Sequence, residues 1–200
     1  MHAQNDEPTL WLKMVATHKI YIALLRGINV GGKNIIKMSD LKACFEDMGF
    51  ESVATYIQSG NILFDSNHLE RESMEDKIRN GLFQNFNYNG TIVLISSDEL
   101  QQVITNAPDG FGADYDQNKY DVLYLKKPLT AREALIDIPV KEDVDDAFAG
   151  PGVVYYRRTA DHLSKSRLNK LPSLPIYQKI TIRNWKTSNK ILEMVGGVGK

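Results

Sequence analysis

The order of apolar and polar residues in the first half of the chain predicts alternating strands and helices. Residues 19–28 form a nearly continuous apolar run that stops at a glycine-rich loop, which is typical of a buried strand. Apolar side chains then recur at i, i+3, i+4 and i+7, which predicts a helix over residues 40–48. Ser39 is the expected cap of this helix, and Gly49 is the expected left-handed residue that ends it.

The elements that follow complete a recognisable order. They are a hairpin (53–58 and 62–65) around Ser59-Gly60-Asn61, a helix from Asn67 to about Phe86, and a strand over 91–96 after the Asn89-Gly90 turn. The resulting βαββαβ order over residues 19–96 is the split βαβ arrangement of a ferredoxin-like unit. We therefore expect an α+β fold whose first strand lies inside the sheet.

The second half, residues 97–200, is less regular and predicts a second αβ subdomain packed on the first. The expected elements are a helix over 97–106 capped by Ser97, a loop over 107–118, strands over 120–126 and 153–158, and helices over 130–136, 163–171 and 185–195. A degraded second copy of the first unit would have this order, although no residue-level repeat is visible. Residues 1–18 are predicted to be an N-terminal extension, with Met14 as the natural start.

Charge is unevenly distributed in a chain whose net charge is only -1. Residues 157–200 carry a net charge of +8, and the remainder carries -9. Two interpretations remain open: the basic end binds an anionic partner, or it docks on the acidic part of the same molecule.

The composition, 42% hydrophobic and 24% charged, is that of a globular protein. No apolar run approaches the roughly 20 residues of a membrane span. The single cysteine, Cys44, excludes an internal disulfide and suits a reducing compartment. The four histidines lack the spacing of a metal pair. We expect a soluble cytoplasmic protein without a metal or cofactor.

The glycine-rich loop after the first strand is the first candidate site. Residues 27–34 have the pattern G-x-x-x-x-G-K-N, in which Asn34 replaces the magnesium-binding Ser or Thr of a P-loop. Four residues also separate this loop from the next helix, so a P-loop nucleoside triphosphatase is not indicated. An anion-binding nest remains possible, as does a simple tight connection between strand and helix. The candidate ligands are Arg26, Asn29, Gly31, Gly32, Lys33 and Asn34.

Two further stretches contain candidate binding residues. Ser59 and Asn61 flank the hairpin glycine, where they form either a ligand loop or only a turn. Arg183, Asn184 and Trp185 lie in the basic end, where Arg beside Trp suits stacking and phosphate contacts. The alternative is that Asn184 caps the last helix and Trp185 anchors it to the core.

Four stretches of the chain resemble one known family. They are YIALLRGINVGGKN (21–34), MSDL (38–41), TYIQSGN (55–61) and TIRNWKT (181–187), and they look like the hallmarks of the bacterial domain-of-unknown-function 1697 family. The resemblance extends from about Lys19 to Val195. It implies an αβ fold of ferredoxin-like halves and carries no established activity.

Three functions follow as hypotheses. The first is a binding module for a phosphate-bearing ligand, a nucleotide or nucleic acid, in which Arg183 and Lys33 share one anion. The second is a phosphoryl- or acyl-transfer enzyme that uses the same loop, with Asp40 or Asp65 as the candidate base. The third is a protein interaction module or homodimer held by the basic end.

Overall fold

The computed structural model describes residues 19–32, 34–66 and 70–197. Residues 19–105, which we call the first half from here on, contain β1 (Lys19–Leu25), α1 (Met38–Asp47), β2 (Glu51–Tyr56), β3 (Asn61–Ser66), α2 (Arg71–Phe86), β4 (Ile92–Ser96) and α3 (Ser97–Thr105). This half includes the helix that was predicted to open the second subdomain. The predicted extension 1–18, the predicted cap Asn67 and the candidate ligand Lys33 lie outside the described residues.

The second half begins with β5 (Asn118–Leu125), α4 (Ala131–Asp137), β6 (Asp145–Gly150) and β7 (Val153–Thr159). Three short 3₁₀ segments follow, over Ala160–Lys165, Arg167–Ser173 and Pro175–Lys179. The chain then continues through β8 (Ile180–Asn184) and α5 (Trp185–Val195).

The described strands form two antiparallel four-stranded sheets with the same topology. The first has the order β2-β3-β1-β4 and the second the order β6-β7-β5-β8, so the first strand of each half lies inside its sheet. This order confirms the α+β class and the split βαβ arrangement of the first half. The second half repeats that arrangement, with the 3₁₀ segments in place of its second helix.

The repeat extends to individual residues, although the sequence does not reveal it. The amide of Leu25 donates to the carbonyl of Gly60 at 2.8 Å, and the amide of Leu125 donates to the carbonyl of Gly152 at 3.1 Å. Gly60 and Gly152 have φ of +70° and +71°, a conformation that favours glycine. Each half therefore has a glycine turn of the same conformation beside the end of its first strand.

The ends of the two halves also correspond. Ser96 ends β4 and caps α3, while Asn184 ends β8 and caps α5. The equivalent helices α3 and α5 contact each other, and so do the equivalent strands β4 and β8. Contacts between equivalent elements are the mark of a two-fold relation. The two halves therefore pack around an internal pseudo-two-fold axis.

Three apolar clusters result from the alternation of side chains along the strands. Ala23 and Leu25 face α1 and α2 on the outer side of the first sheet. Ile22 and Leu24 face the opposite side and share a central cluster with Tyr124 of the second sheet. A third cluster covers the outer face of the second sheet, beneath α4 and the 3₁₀ segments. The two halves thus share one cluster of buried apolar side chains.

Two predicted helix caps are wrong by one or two residues. Helix α1 begins after Lys37, which makes no side-chain cap, and the Ser39 hydroxyl donates to Asp40 at 3.0 Å instead. Helix α3 is capped by Ser96 and not by Ser97, because Glu99 occupies the position that completes a capping box with Ser96.

The predicted helix over 163–171 is wrong. This segment forms parts of two 3₁₀ turns, separated where Ser166 adopts an extended conformation and its hydroxyl accepts from the Leu168 amide at 3.2 Å. Strands β6 and β8 are additions to the predicted elements. The sequence of β6, DDAFAG, has no strand-like apolar alternation, because the strand lies at the edge of its sheet.

Candidate functional site

A cavity of about 340 Å³ lies where β1 ends, between the glycine-rich loop, the β2–β3 turn and strand β8. Four of the predicted site residues line it: Arg26, Ser59, Arg183 and Asn184. They come from distant parts of the chain and meet because β8 of the second sheet crosses the end of β1 in the first. We call this space the Arg183 cavity.

Arg183 lies at the base of this cavity and is 7% exposed. Its Nη2 donates to the carbonyl oxygens of Leu25 at 2.8 Å, Ser59 at 2.9 Å and Gly60 at 3.1 Å. The acceptors belong to the first sheet, whereas Arg183 belongs to the second. The guanidinium therefore holds the two halves together at the point where β1 ends.

The other guanidinium nitrogens also have partners. Nη1 donates to Thr181 Oγ1 at 3.1 Å and to the Ile182 carbonyl at 2.8 Å, and Nε donates to Asn61 Oδ1. All these acceptors are neutral. Burial lowers the pKa of Arg183 to about 10, so the group still carries its charge at neutral pH.

The predicted residues Ser59 and Asn61 belong to the same network. Asn61 is fully buried, and its Nδ2 donates to the Tyr56 carbonyl at 3.0 Å and to Ser59 Oγ at 2.9 Å. Asn61 thus supports both the turn and Arg183. These contacts agree with the turn interpretation of Ser59 and Asn61, and their role in binding a ligand stays a prediction.

Arg26 lies on the other side of the cavity and reaches the last 3₁₀ segment. Its guanidinium donates to the Tyr177 carbonyl and to Gln178 Oε1, the latter at 2.8 Å. It also lies 4.6 Å from the centre of the Tyr177 ring, within cation–π range. Arg26 is partly exposed, so its charge is accessible from solvent.

Tyr88 supports the same strand end, although its sequence position gives no sign of this role. Its hydroxyl donates to the Arg26 carbonyl at 2.8 Å and also lies 3.1 Å from the Thr91 carbonyl. Burial raises the pKa of Tyr88 to about 12. The phenol therefore stays neutral at pH 7 and donates its hydrogen bond to the backbone of Arg26.

The two asparagines of the glycine-rich loop hold the loop closed. Asn29 Nδ2 donates to the carbonyls of Ile36 at 2.9 Å and Gln58 at 3.1 Å, and its Oδ1 accepts from the Ile36 amide at 2.8 Å. Asn34 Nδ2 donates to the Gly27 carbonyl at 3.0 Å. These side-chain amides therefore stabilise a tight connection between β1 and α1.

Gly31 and Gly32 form the exposed tip of this loop. Their φ values are +59° and +73°, and a Cβ on either would meet open space. They do not line the Arg183 cavity, which contacts the loop at Gly27, Ile28 and Val30.

Asn184 and Trp185 have structural roles that the sequence allowed as alternatives. Asn184 Oδ1 accepts from the Thr187 amide at 2.7 Å and caps α5. The Trp185 ring is mostly buried and packs edge-on against Phe111 at 5.2 Å. Trp185 is absent from the described lining of the Arg183 cavity, whereas Asn184 lies at its edge.

An apolar rim, defined by Val30 and Ile57, borders the cavity. The two side chains are 64% and 49% exposed. Ile57 has a φ of +45°, which a β-branched residue adopts only under strain. A strained, exposed isoleucine beside a cavity is a feature that sequence patterns do not predict.

Part of the basic end pairs with acidic residues of its own sheet. Arg157 contacts Asp146 and Arg158 contacts Asp121, each with an N–O distance of 2.6 Å. Burial raises the pKa of Asp121, and the charge and hydrogen bond of Arg158 oppose that rise. These two arginines therefore pair within the second sheet, and they are absent from the described lining of the Arg183 cavity.

The Arg183 cavity is electropositive. Its described lining includes two arginines and no carboxylate, histidine or cysteine. Within the described part of the chain, no group of three or more His, Cys, Asp or Glu residues is placed to hold a metal ion. None of the described helices is long and apolar enough to cross a membrane.

The fold and this cavity define an α+β protein made of two split βαβ halves, with buried positive charge at their junction. Residues 19–156 match DUF1697, a family of proteins of unknown function, and the chain belongs to that family. The match includes the glycine-rich loop, β1 and β5, and it ends before Arg183.

A solved structure has the same overall fold. It is that of the conserved bacterial protein SP0830 from Streptococcus pneumoniae, which is 27% identical to this chain with a TM-score of 0.76. The alignment covers 88% of this chain and 98% of that one. No curated protein matches the sequence.

Proposed function

We propose that the protein binds a phosphate-bearing small molecule, of the size of a nucleotide, in the Arg183 cavity. The observation that carries this proposal is the buried charge of Arg183, whose hydrogen-bond acceptors are all neutral. A buried cation without a carboxylate leaves a positive potential that an incoming anion reduces. Arg26 adds a second cation at the same cavity.

Only hydrogen-bond donors that face solvent can bond directly to the ligand. Arg183 has its N–H groups engaged and acts through its charge, whereas Arg26 is partly exposed and has five N–H donors. A phosphate therefore bonds directly to Arg26 and is attracted over distance by Arg183. Lys33 follows Gly32 in the same loop and adds a further positive charge to it.

The volume and walls favour a nucleotide over a nucleic-acid strand. A volume of 340 Å³ is at the lower end of the range of small-molecule sites, about 300–1,000 Å³. Val30 and Ile57 offer apolar surface for the base or sugar. The described lining holds no general base, and Asp40 and Asp65 are absent from it, so binding is favoured over phosphoryl transfer.

A thermal-shift screen at low salt tests this proposal, with nucleoside mono-, di- and triphosphates, nucleosides and pyrophosphate as probes. A ligand at 100 times its dissociation constant adds about 2.7 kcal/mol of stability, which raises the Tm of a chain of this size by roughly 5–10 °C. We expect a phosphate-bearing nucleoside to raise the Tm and the matching nucleoside to have no effect.

Three variants test whether the ligand binds in the Arg183 cavity. Arg26→Gln and Lys33→Ala should each reduce the shift, while Arg167→Gln, a change in an exposed arginine of the second 3₁₀ segment, should leave it intact. A flat screen with every phosphate, or a shift that persists in Arg26→Gln, would contradict the proposal.

A homodimer is the second candidate, and one observation favours it. Ile35 is 77% exposed and lies between the glycine-rich loop and α1, and Val30 of that loop is exposed as well. Sedimentation of the wild-type protein against Ile35→Ser distinguishes the two. A dimer that dissociates in the variant supports the interaction role, and a monomer at all concentrations excludes it.

A further inference from the structure

The second half contains its own cavity at the position that corresponds to the Arg183 cavity. It is larger, about 650 Å³, and lies where β5 ends, beside the β6–β7 turn and against β4 and α3 of the first half. Each cavity is thus formed by the end of one half's central strand and the last strand and helix of the other half. We call this second space the Ile95 cavity.

The two cavities differ in the side chain at one equivalent position. Arg183 pairs across the sheet with Val122, and Ile95 pairs in the same way with Ile22, so the two occupy equivalent positions. Arg183 extends to the carbonyls of the opposite half, whereas Ile95 is aliphatic and forms no such bridge. The Ile95 cavity is consequently open and apolar, with walls that include Ile95, Val103 and Val153.

Positive charge borders this apolar space. Lys127 Nζ donates to Glu99 Oε1 at 2.9 Å, and Glu99 also accepts from Arg71 and from the Ser96 amide. Glu99 also lines the cavity, and its carboxylate is engaged by these three donors. Arg132 also lines the cavity, is exposed, and makes no hydrogen bond or ion pair with the part of the chain that the structure describes.

We propose that the Ile95 cavity binds an amphipathic organic anion, an apolar chain or ring that ends in a carboxylate. The apolar part lies against Ile95, Val103 and Val153, and the carboxylate pairs with Arg132 and Lys127. A guanidinium forms two parallel hydrogen bonds with a carboxylate, so the otherwise unpaired Arg132 is the main recognition group. The volume lies well within the range of small-molecule sites.

This proposal is independent of the phosphate ligand of the Arg183 cavity. The two cavities share no lining residue among those described. Replacement of Arg26 should therefore leave the Ile95 cavity unaffected, and replacement of Arg132 should leave the Arg183 cavity unaffected.

The fluorescent probe 1-anilinonaphthalene-8-sulfonate, an aromatic anion, tests the proposal on the whole protein. We expect its fluorescence to rise on binding and to fall when octanoate displaces it. Octanol, which has the same chain without the charge, should displace it less well. Arg132→Gln should weaken octanoate binding about tenfold and leave octanol unchanged, because only the charged contact is lost.

Two filling variants assign the binding to this cavity. Ala149 and Gln102 are exposed residues of its lining, so Ala149→Phe and Gln102→Phe should each abolish binding of both the probe and octanoate without loss of the fold, which circular dichroism checks. Arg26→Gln and Arg167→Gln should bind octanoate like the wild type. Absence of probe binding, equal affinity for octanoate in Arg132→Gln, or unchanged binding in both filling variants would overturn the proposal.

Discussion

Arg183 joins two halves of the molecule through neutral acceptors alone. In Arg183→Met, Asn61 Oδ1 and the buried carbonyl of Leu25 lose the donor, whereas the Gly60 carbonyl keeps its bond from the Leu25 amide. Each unsatisfied buried group costs about 1–3 kcal/mol, so we expect a loss of at least ~2 kcal/mol in the free energy of unfolding. Urea unfolding measures it.

Arg167→Met is the control for this prediction, since that side chain is exposed and its described bond to Asp145 comes from the backbone amide. We expect the control to lie within about 0.5 kcal/mol of the wild type. Equal stability of the two variants would show that Arg183 does not hold the halves together.

Glu99 makes the stability of the protein depend on pH. Partial burial would raise the pKa of its carboxyl, but hydrogen bonds from Lys127, the Ser96 amide and Arg71 lower it to about 2. A lowered pKa stabilises the folded state above the ordinary value of 4.5, and the gain disappears as pH falls from 4.5 to 2. Because the side chain is partly exposed, we expect about 2 kcal/mol and not the full value of the shift.

Urea unfolding of the wild type and Glu99→Gln between pH 6 and pH 2 tests this expectation. The variant should be less stable at pH 6, and the difference should shrink towards pH 2. Glu193→Gln removes an exposed ion pair with Lys190 and should change stability by under about 1 kcal/mol. A difference between wild type and Glu99→Gln that stays constant over this range would contradict the prediction.

The capping of individual helices was partly predictable from sequence. Asn184 was predicted as a cap because its type and position suit that role, and its side chain does accept from the Thr187 amide. The partnership of Arg183 with Asn61 was not predictable, because it joins residues 122 positions apart and depends on how two sheets pack. Sequence patterns report local preference, and this contact exists only in the assembled molecule.

At the scale of elements, the loop between α3 and β5 fixes the position of α5. A Cβ on Gly112 would lie 2.3 Å from the Trp185 ring, and its φ is +85°. Gly110 has a φ of +72° with open space around it. We expect Gly110→Ala to cost about 1–2 kcal/mol from backbone strain alone. Gly112→Ala should cost about 1–3 kcal/mol more, because the ring must move.

Urea unfolding compares these two alanine variants, and Trp fluorescence reports the environment of the ring. Gly112→Ala should shift the emission of Trp185, whereas Gly110→Ala should not. An equal loss in the free energy of unfolding of both variants would mean that the loop shifts and the Trp185 ring keeps its position.

The elements of the first half follow from sequence better than those of the second. Apolar runs and turn residues predict every described strand of the first half, since each strand has one buried face on α1 or α2 and the other on the central cluster. Strand β6 was missed because an edge strand has little apolar pattern. Parts of two 3₁₀ segments replace the helix predicted over 163–171, and Pro172, which has no backbone N–H to donate, lies within the second of them.

At the scale of the whole molecule, the central cluster should make the halves unfold together. Ile22, Leu24 and Val93 of the first sheet share it with Tyr124 and Tyr155 of the second. Either half alone would expose these side chains to water. We expect a single unfolding transition in urea, with the same midpoint by Trp185 fluorescence in a Trp11→Phe background and by circular dichroism. Separate midpoints would show that the halves are independent domains.

The internal two-fold relation also bears on the order of the chain. Residues 106–117 connect the end of α3 to the start of β5. If the halves are equivalent, the end of α5 and the start of β1 have the same spatial relation as the end of α3 and the start of β5. We propose that this segment, rather than the start of α3, is the joint between the halves. A circular permutant that opens after Thr105 and joins Gly197 to Lys19 with a linker of similar length would then keep every strand pairing. Such a chain would begin with the second half and end with the first, and it should fold to the same structure.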